Sequence, residues 1–225
     1  MSNQIQNLKV KIIFEDDDLL VVNKEAGIEV DAPRDDHENN IVNYLKKYFD
    51  LKNIFLVHRL DKFTSGLVLV AKNEKTQKNL EKQFRDKKIK KIYHAIVLGT
   101  FDKKKGRIDL SIGLDKKIKQ KRWVMRGGET AITDYEVLKR IGGEYSLVKL
   151  EPITGRTHQL RVHMAYLGHP IIGDKLYKGR VSGIKTNGFA LIAKRIEFTH
   201  PTTNRLEKFE IGYGEEFEGI LEKLK

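Results

Sequence analysis

Three charged side chains close together in one short stretch are the first sign of chemistry in this sequence. Arg59 and Asp61 are separated by one Leu, and Lys62 follows. The stretch lies between two apolar runs, 54–57 and 67–71, and the second is short and continuous enough to predict a strand buried on both faces. Charged groups at the edge of a core cost free energy unless they are paired, so the cluster indicates either a structural ion pair or a site.

A turn is expected just before the second apolar run. In the segment 64–66 (Thr-Ser-Gly) the hydroxyls can bond nearby backbone groups, and the glycine tolerates dihedral angles that other residues resist. Asp61 would then lie on a tight loop anchored to a rigid strand, where catalytic groups are often held. An arginine such as Arg59 or Arg161 close to a carboxylate keeps it ionised and fit to act as a nucleophile or base. A bidentate structural pair accounts for these residues equally well.

The elements that must hold these residues are predicted from hydrophobic periodicity and turn residues. Helices are expected at 39–50, capped by Asn39 or Asn40, at 74–87, with Leu80 and Phe84 on one face, and at 157–167 and 215–225. Further strands are expected at 10–14, 19–23, 91–98, 107–112, 131–138, 146–150, 189–199 and 206–211. No repeat or Pro-rich linker interrupts the chain. We therefore predict one α+β domain over residues 1–225, built on a mixed sheet.

One of these helices has two distinct faces. Gly155 and Thr157 are expected to supply the turn and the cap that begin it. Leu160 belongs to its apolar face, whereas His158 and Arg161, three residues apart, share another. Arg161 is therefore expected to project from a buried helix.

The charge of the chain is basic and unevenly distributed. It has 43 Lys and Arg against 31 Asp and Glu, a net charge of +12. Segment 87–122 alone holds thirteen basic and three acidic residues, a net of +10. Nucleic acid is the simplest polyanionic partner for such a segment, although a lysine-rich composition with a solvated face would give the same count.

The composition excludes several classes of protein. The chain has no cysteine, which removes disulfides, thiolate zinc sites and cysteine nucleophiles. Its first residues form no apolar signal core, and no window approaches the roughly 18 apolar residues of a membrane span. We therefore expect a cytoplasmic protein with no membrane contact.

A metal site is disfavoured by spacing. His58, His158 and His163 are the candidate ligands, but His158 and His163 are five residues apart, which is off the spacing that places two ligands on one helical face, and no carboxylate accompanies them in that helix. The paired glycines form no phosphate-cradling motif. Trp123, the only tryptophan, directly follows the basic segment 87–122 and could stack on a base or pack in a core.

Several motifs, in order, resemble those of the RluA-type pseudouridine synthases. The stretch 58–66, His-Arg-Leu-Asp-Lys-Phe-Thr-Ser-Gly, is similar to the signature of that family, which is followed by an apolar strand and Ala-Lys. Further similar segments are the Lys-x-Tyr element at 91–93, the middle strand at 130–135, the third motif at 155–163 and its continuation at 168–174. The resemblance covers about residues 10–203, and the ordered combination is far more specific than any single motif.

The resemblance implies a fold, a reaction and partners. The fold would be α+β, with a mixed, mostly antiparallel central sheet flanked by helices and loops and a central RNA-binding cleft. The reaction would isomerise a specific uridine in rRNA or tRNA: the base is cut from the ribose nitrogen link, turned and rejoined through carbon 5. RNA would be the partner of a monomer, with no cofactor and no metal.

The resemblance also implies roles for individual residues. Asp61 would be the essential carboxylate, Tyr93 would stack on the flipped base, and Arg161 would pair with Asp61. Arg59 would fill the space that the flipped nucleotide leaves, and substrate-binding positions would also include His58, His158 and Leu160. These roles suit the chemistry, because isomerisation needs an ionised carboxylate beside an anomeric centre in a site that excludes water. Whether Asp61 attacks the sugar, attacks the base or acts as a base at the ribose stays open.

The sequence departs from the family pattern at a few positions. Glu25 stands where many relatives have Pro, Ile192 where they have His, and Lys178 where Gly usually follows Tyr. Some relatives carry a small RNA-binding module before the catalytic domain, and the chain has room for only about nine residues there. Selection by the catalytic domain itself would favour a compact stem-loop. Two other functions stay open at this point: a non-catalytic RNA-binding factor and a metal nuclease.

Overall fold

The computed structural model describes residues 10–31, 40–49, 54–118, 120–184 and 186–224. The chain divides into two compact units, each made of two stretches of sequence. The first unit is Met1–Ile89 with Arg195–Ile211, and the second is Lys90–Lys194 with Gly212–Lys225. The single domain that we expect over 1–225 stays a prediction.

Helices and strands alternate irregularly along the chain, as in an α+β protein. The strands are β1 Val10–Glu15, β2 Leu19–Lys24, β3 Phe55–Leu56, β4 Ser65–Ala71, β5 Lys90–Leu98, β6 Lys105–Asp109, β7 Ile112–Leu114, β8 Arg122–Val124, β9 Ile132–Ile141, β10 Tyr145–Pro152, β11 Leu191–Thr199 and β12 Leu206–Glu210. The helices are α1 Ile41–Phe49, α2 Glu74–Arg85, α3 Gln159–Tyr166 and α4 Glu215–Lys223, with a 3-10 turn at Lys175–Tyr177.

The first unit is built around β4. This strand pairs antiparallel with β2, which pairs antiparallel with β1, and the short β3 pairs with the end of β4. Every residue from Gly66 to Ala71 is buried, which confirms the strand predicted from the continuous apolar run. Helix α2 covers this sheet with Leu80, and Phe198 of β11 belongs to the same apolar cluster. The loop before β4 is therefore attached to a strand that is buried along almost its whole length.

The second unit is an antiparallel arrangement with α3 against one face. Strand β10 lies between β5 and β9, and β9 pairs with β6. Alternate residues of β5, Ala95 and Val97, join Leu160 and Met164 of α3 in one apolar cluster. Strands β7 and β8 form a separate two-stranded hairpin. The pairings confirm the expected mostly antiparallel α+β fold.

Three local predictions need correction. Thr157 does not cap α3: the cap position is His158, in the left-handed region at φ 60°, and the helix begins at Gln159. The turn before β4 is made by 61–64, where the Thr64 N–H donates to the Asp61 carbonyl at 3.0 Å. The strand expected at 107–112 is interrupted, because β6 ends at Asp109 and β7 begins at Ile112.

Other predictions near the termini of the elements are confirmed. Asn40 caps α1, since its side chain accepts a hydrogen bond from the Asn43 N–H at 2.9 Å. The alternative cap, Asn39, lies outside the described residues. In the part of the chain that the structure describes, no helix combines the length and the apolar composition that a membrane crossing requires.

Candidate active site

Asp61 is the first residue of the tight turn that leads into β4. The turn is closed by the hydrogen bond from the Thr64 N–H, and Thr64 and Leu60 are both buried. Asp61 itself is half-buried, whereas Lys62 and Phe63 at the tip are exposed. The carboxylate is thus carried by a short loop whose two ends are held in the core.

Lys24 is the residue that ties this turn to the neighbouring strand. Its side chain is fully buried at the end of β2. The ammonium donates hydrogen bonds to the carbonyls of Glu25 at 3.1 Å, Ile28 at 3.0 Å and Lys62 at 2.9 Å. Three acceptors match the three donors of an ammonium group. Because Lys62 directly follows Asp61, the contact fixes the backbone beside the carboxylate.

The buried ammonium makes stability depend on pH. Burial lowers the pKa of Lys24 from 10.5 to about 7, and the nearby Asp61 charge opposes this shift. Between these two values the unfolded chain binds a proton that the folded chain releases. The unfolding free energy should therefore rise with pH above about 7, by up to about 1.4 kcal/mol per pH unit from this group.

Urea unfolding of the wild type and of Lys24→Met at pH 6, 7.5 and 9 measures this effect. The difference in unfolding free energy between the two proteins should move in favour of the wild type as pH rises. Comparing the two proteins cancels the other titrating groups, such as Lys91, whose pKa is lowered by burial to about 8. A difference that stays constant across the three pH values would contradict the prediction.

His58 and Arg59 lie in the same loop as Asp61 but face different surroundings. The Nε2 atom of His58 accepts a hydrogen bond from the Leu69 N–H at 2.9 Å, and its ring lies 4.9 Å from that of Phe84. The His58 side chain therefore takes the place of a strand partner for β4 just beyond the end of β3. Arg59 is exposed. Their roles in binding the substrate stay predictions.

Tyr93 lies in the second unit, on β5. It is half-buried against the apolar cluster that contains Leu160 of α3, and its backbone is opposite Leu150 of β10. Lys91 is on the same face of β5, two residues away. A side-chain carbon added at Gly155 would lie 3.8 Å from the Lys91 Nζ, so this ammonium lies beside the loop that precedes α3.

Arg161 projects from α3 into a buried ion pair. Its Nε and Nη2 atoms lie 2.6 Å and 3.0 Å from the two carboxylate oxygens of Asp174. The rings of Tyr177 and Phe189 lie 4.9 Å and 4.4 Å from the centre of the guanidinium group. Arg161 thus comes from a buried helix, as the sequence predicts, and the side chain is held by partners on a separate loop.

The start of α3 is fixed by buried hydrogen bonds. The Gln159 side chain accepts from the Thr154 hydroxyl at 2.6 Å and from the Arg156 N–H at 3.0 Å, and donates to the Ile132 carbonyl at 2.9 Å. These bonds attach the loop before the helix to β9. They also hold the His158 backbone in its left-handed conformation, where no side chain caps the helix.

The histidines of this region are engaged within the protein. His158 Nδ1 lies 3.0 Å from the Tyr177 hydroxyl. His163 is fully buried, with Nδ1 2.9 Å from the Thr133 hydroxyl and Nε2 3.2 Å from the Leu110 carbonyl. Burial lowers the pKa of His163. Both ring nitrogens of His163 are occupied, which argues against a role as a metal ligand.

The basic segment divides into two parts with different surroundings. On the strands, ion pairs link Lys105 to Glu136 at 3.0 Å, Glu136 to Lys149 at 3.1 Å, Lys149 to Glu151 at 2.8 Å and Glu151 to Lys90 at 3.4 Å. We call this row the strand ion-pair row. Lys105 and Lys149 together lower the pKa of Glu136. Much of the positive charge on these strands is therefore neutralised.

The hairpin formed by β7 and β8 presents a different surface. Trp123 is 53% exposed, and the Lys121 Nζ lies 5.0 Å from the centre of its ring. Other exposed apolar side chains of this hairpin are Leu114, Ile118 and Met125. This exposure argues against packing of Trp123 in a core, whereas stacking on a base stays a prediction.

The structure distributes the predicted site residues over the two units. The first unit contains His58, Arg59 and Asp61, and the second contains Tyr93, His158, Leu160 and Arg161. Sequence reasoning missed Lys24, Gln159 and Asp174, which fix the backbone or the side chain of predicted site residues. The signals available in the sequence were a Lys at the end of an apolar run and an Asp between Gly173 and Gly179.

The comparisons with known proteins identify the class. The chain matches the family described as RNA pseudouridylate synthase over residues 18–166, and it belongs to that family. The family comprises isomerases that act on RNA.

Individual relatives agree with this assignment. The chain is 38% identical to the dual-specificity RNA pseudouridine synthase RluA of Vibrio parahaemolyticus, covering 87% of this chain and 80% of that protein. It is 45% identical to the ribosomal large subunit pseudouridine synthase D of Borreliella burgdorferi, covering 79% of this chain and 57% of that protein. Human RNA pseudouridylate synthase domain containing 4 has a similar structure, with a TM-score of 0.78, 25% identity and coverage of 95% and 92% of the two chains. The RluA-type resemblance in the sequence is therefore confirmed.

Proposed function

We propose that this protein converts one uridine, or a small set of uridines, in a structured rRNA or tRNA into pseudouridine, with Asp61 as the essential carboxylate. The observation that supports the proposal most is the family match, which includes the complete 58–66 motif. The turn at 61–64 holds Asp61 between a buried strand and the Lys24 ammonium. A carboxylate fixed in this way suits a reaction that needs precise placement at an anomeric carbon.

The reaction redistributes bonds within one nucleotide. The bond between N1 of uracil and C1′ of the ribose breaks, and a bond between C5 and C1′ forms after the base has turned. The proton on C5 leaves, and N1 ends with a proton, so no atom is gained or lost. The product has the composition of the substrate, and the chemistry draws on no redox partner. Asp61 would promote this exchange in one of three ways, by attack on the sugar, by attack on the base or as a base at the ribose.

The other proposed roles follow the same chemistry. Tyr93 would stack on the flipped uracil and take part in removal of the C5 proton, and Arg161 would pair with the Asp61 carboxylate. Arg59, which is exposed on the loop of Asp61, would enter the space that the flipped base leaves. His58, His158 and Leu160 would shape the surface that receives the nucleotide.

The hairpin formed by β7 and β8 is the proposed RNA-contacting surface outside the reaction centre. Its exposed Trp123 offers a face on which an unpaired base can stack, and Lys121 beside the ring can reach a phosphate. Such contacts position an RNA without reading its sequence. A monomer in the cytoplasm that acts on a stem-loop without a metal or a cofactor is the form of the protein that we expect.

The direct test uses RNA that lacks the modification. Total RNA from a strain deleted for the gene is incubated with the purified protein, and pseudouridines are mapped by carbodiimide adducts and primer extension before and after incubation. We expect new pseudouridine at one or a few uridines, formed equally well in the presence of EDTA. Strong RNA binding without new pseudouridine would instead support a non-catalytic binding factor. Cleavage that EDTA abolishes would support a metal nuclease.

A further inference from the structure

Arg161 is held by a rigid acceptor on another segment of the second unit. Asp174 is 1% exposed, and its two oxygens meet the Nε and Nη2 edge of Arg161 at 2.6 Å and 3.0 Å. A fork of this kind fixes both the distance and the plane of the guanidinium group. It engages one edge of the group and leaves the Nη1 end outside the fork.

Two aromatic rings restrict the remaining freedom of the guanidinium group. Tyr177 and Phe189 lie 4.9 Å and 4.4 Å from its centre. The Tyr177 hydroxyl is itself fixed, because it accepts a hydrogen bond from the Arg122 N–H at 2.9 Å and lies 3.0 Å from His158 Nδ1. Arg161 can therefore neither swing sideways nor rotate about its fork without breaking contacts.

Asp174 is in turn fixed by its own loop. Its Oδ1 accepts from the N–H groups of Leu176 at 3.2 Å and Tyr177 at 3.3 Å, and its carbonyl accepts from the Gly179 N–H at 2.8 Å. The preceding Gly173 has φ +85°, and a side-chain carbon there would lie 2.4 Å from the Gly188 carbonyl oxygen. The loop thus presents the carboxylate in one position only.

We propose that Asp174 is a positioning residue for the reaction, which acts by fixing the plane and direction of the Arg161 guanidinium group. This inference rests on the proposed function, in which Arg161 pairs with the Asp61 carboxylate. Without the fork, the arginine would remain charged but would sample several orientations. Transition-state stabilisation depends on placement within about 1 Å, whereas RNA affinity depends on contacts spread over a larger surface. Loss of the fork should therefore lower kcat and leave KM for RNA nearly unchanged.

Asp174→Asn isolates this role. The amide oxygen can still accept the N–H groups of Leu176 and Tyr177, so the loop retains its shape, while the charge and one arm of the fork are lost. We expect kcat for pseudouridine formation to fall by about 100-fold and KM to change by less than about threefold. Asp134→Asn is the matched control, because Asp134 makes a fork with Arg107 at 2.6 Å and 2.8 Å that is exposed. Its kcat should equal that of the wild type.

A second comparison separates positioning from a general effect on folding. Arg161→Lys is prepared alone and together with Asp174→Asn. If Asp174 acts through Arg161, the second substitution should lower the kcat of the lysine variant by less than about threefold. An additional 100-fold loss in the double variant would overturn the proposal, and so would a folded Asp174→Asn protein with wild-type kcat.

A substitution at Phe189 provides a test that does not depend on folding of the Asp174→Asn protein. If Asp174→Asn does not fold, Phe189→Leu removes one wall of the guanidinium site and keeps its apolar character. A kcat about tenfold lower with unchanged KM would support the proposal, and an unchanged kcat would overturn it.

The wild-type assay distinguishes failure of the role of Asp174 from failure of the proposed function. A wild-type protein that forms no pseudouridine refutes the proposed function. An active wild type whose variants have unchanged kcat refutes only the role of Asp174.

Discussion

Replacement of Asp61 by Asn is expected to abolish pseudouridine formation, with a loss in rate of about 10⁴-fold or more. Asn has nearly the same size and can keep the turn, because the hydrogen bond that closes the turn uses the Asp61 carbonyl and the Thr64 N–H rather than the side chain. It cannot act as a nucleophile or as a base at the anomeric centre. The measurement is single-turnover formation of pseudouridine in the RNA identified with the wild type.

The matched control is Asp86→Asn, an exposed carboxylate in the same unit. Its rate should stay within about twofold of the wild type, because the Asp86 carboxylate is exposed and takes no part in the turn of Asp61. Both variants should bind RNA as the wild type does. Pseudouridine formation by a folded Asp61→Asn protein at a rate near that of the wild type would refute the role of Asp61.

Arg161→Met should lower the unfolding free energy by about 3–5 kcal/mol, in addition to its effect on the reaction. The substitution leaves Asp174 as an uncompensated charge in the core, and removal of one partner of a buried pair has costs of this size. The side chains of Arg161 and Asp174 are only 8% and 1% exposed. Chemical denaturation monitored by circular dichroism measures the change.

Arg107→Met provides a comparison with the same chemistry in different surroundings. Arg107 also forms a fork with an aspartate, Asp134, but the two side chains are 62% and 36% exposed. Water screens this pair, so the expected loss in unfolding free energy is much smaller than that of Arg161→Met. Similar losses for Arg107→Met and Arg161→Met would show that burial does not determine the strength of these pairs, contrary to the prediction.

Local sequence patterns were sufficient for much of the architecture. The continuous apolar run at 67–71 predicts β4 correctly because a strand buried on both faces needs an apolar residue at every position. The helical spacing of Leu80 and Phe84 places α2 on the sheet for a similar reason. The family motifs identified the class of protein, which the comparisons confirm.

Contacts between distant residues escaped prediction. The turn of Asp61 is held by Lys24, 38 residues before the Lys62 carbonyl that it binds, and no local pattern encodes such a pairing. The partner of Arg161 in the second unit is Asp174, on a loop that the periodicity of α3 does not reach. The hairpin was missed because strands of three residues are too short to show alternation.

The strand ion-pair row has a consequence for how RNA binding responds to salt. Counterions condensed on RNA are released only when a cation of the protein replaces them at a phosphate, and each replacement on a single strand adds about 0.7 to the slope of log affinity against log salt. Lys90 and Lys105 are already matched with carboxylates, as is Arg107. Their charges attract RNA weakly because the adjacent carboxylates repel it. The affinity of this protein should thus fall less steeply with salt than thirteen cations in one segment would imply.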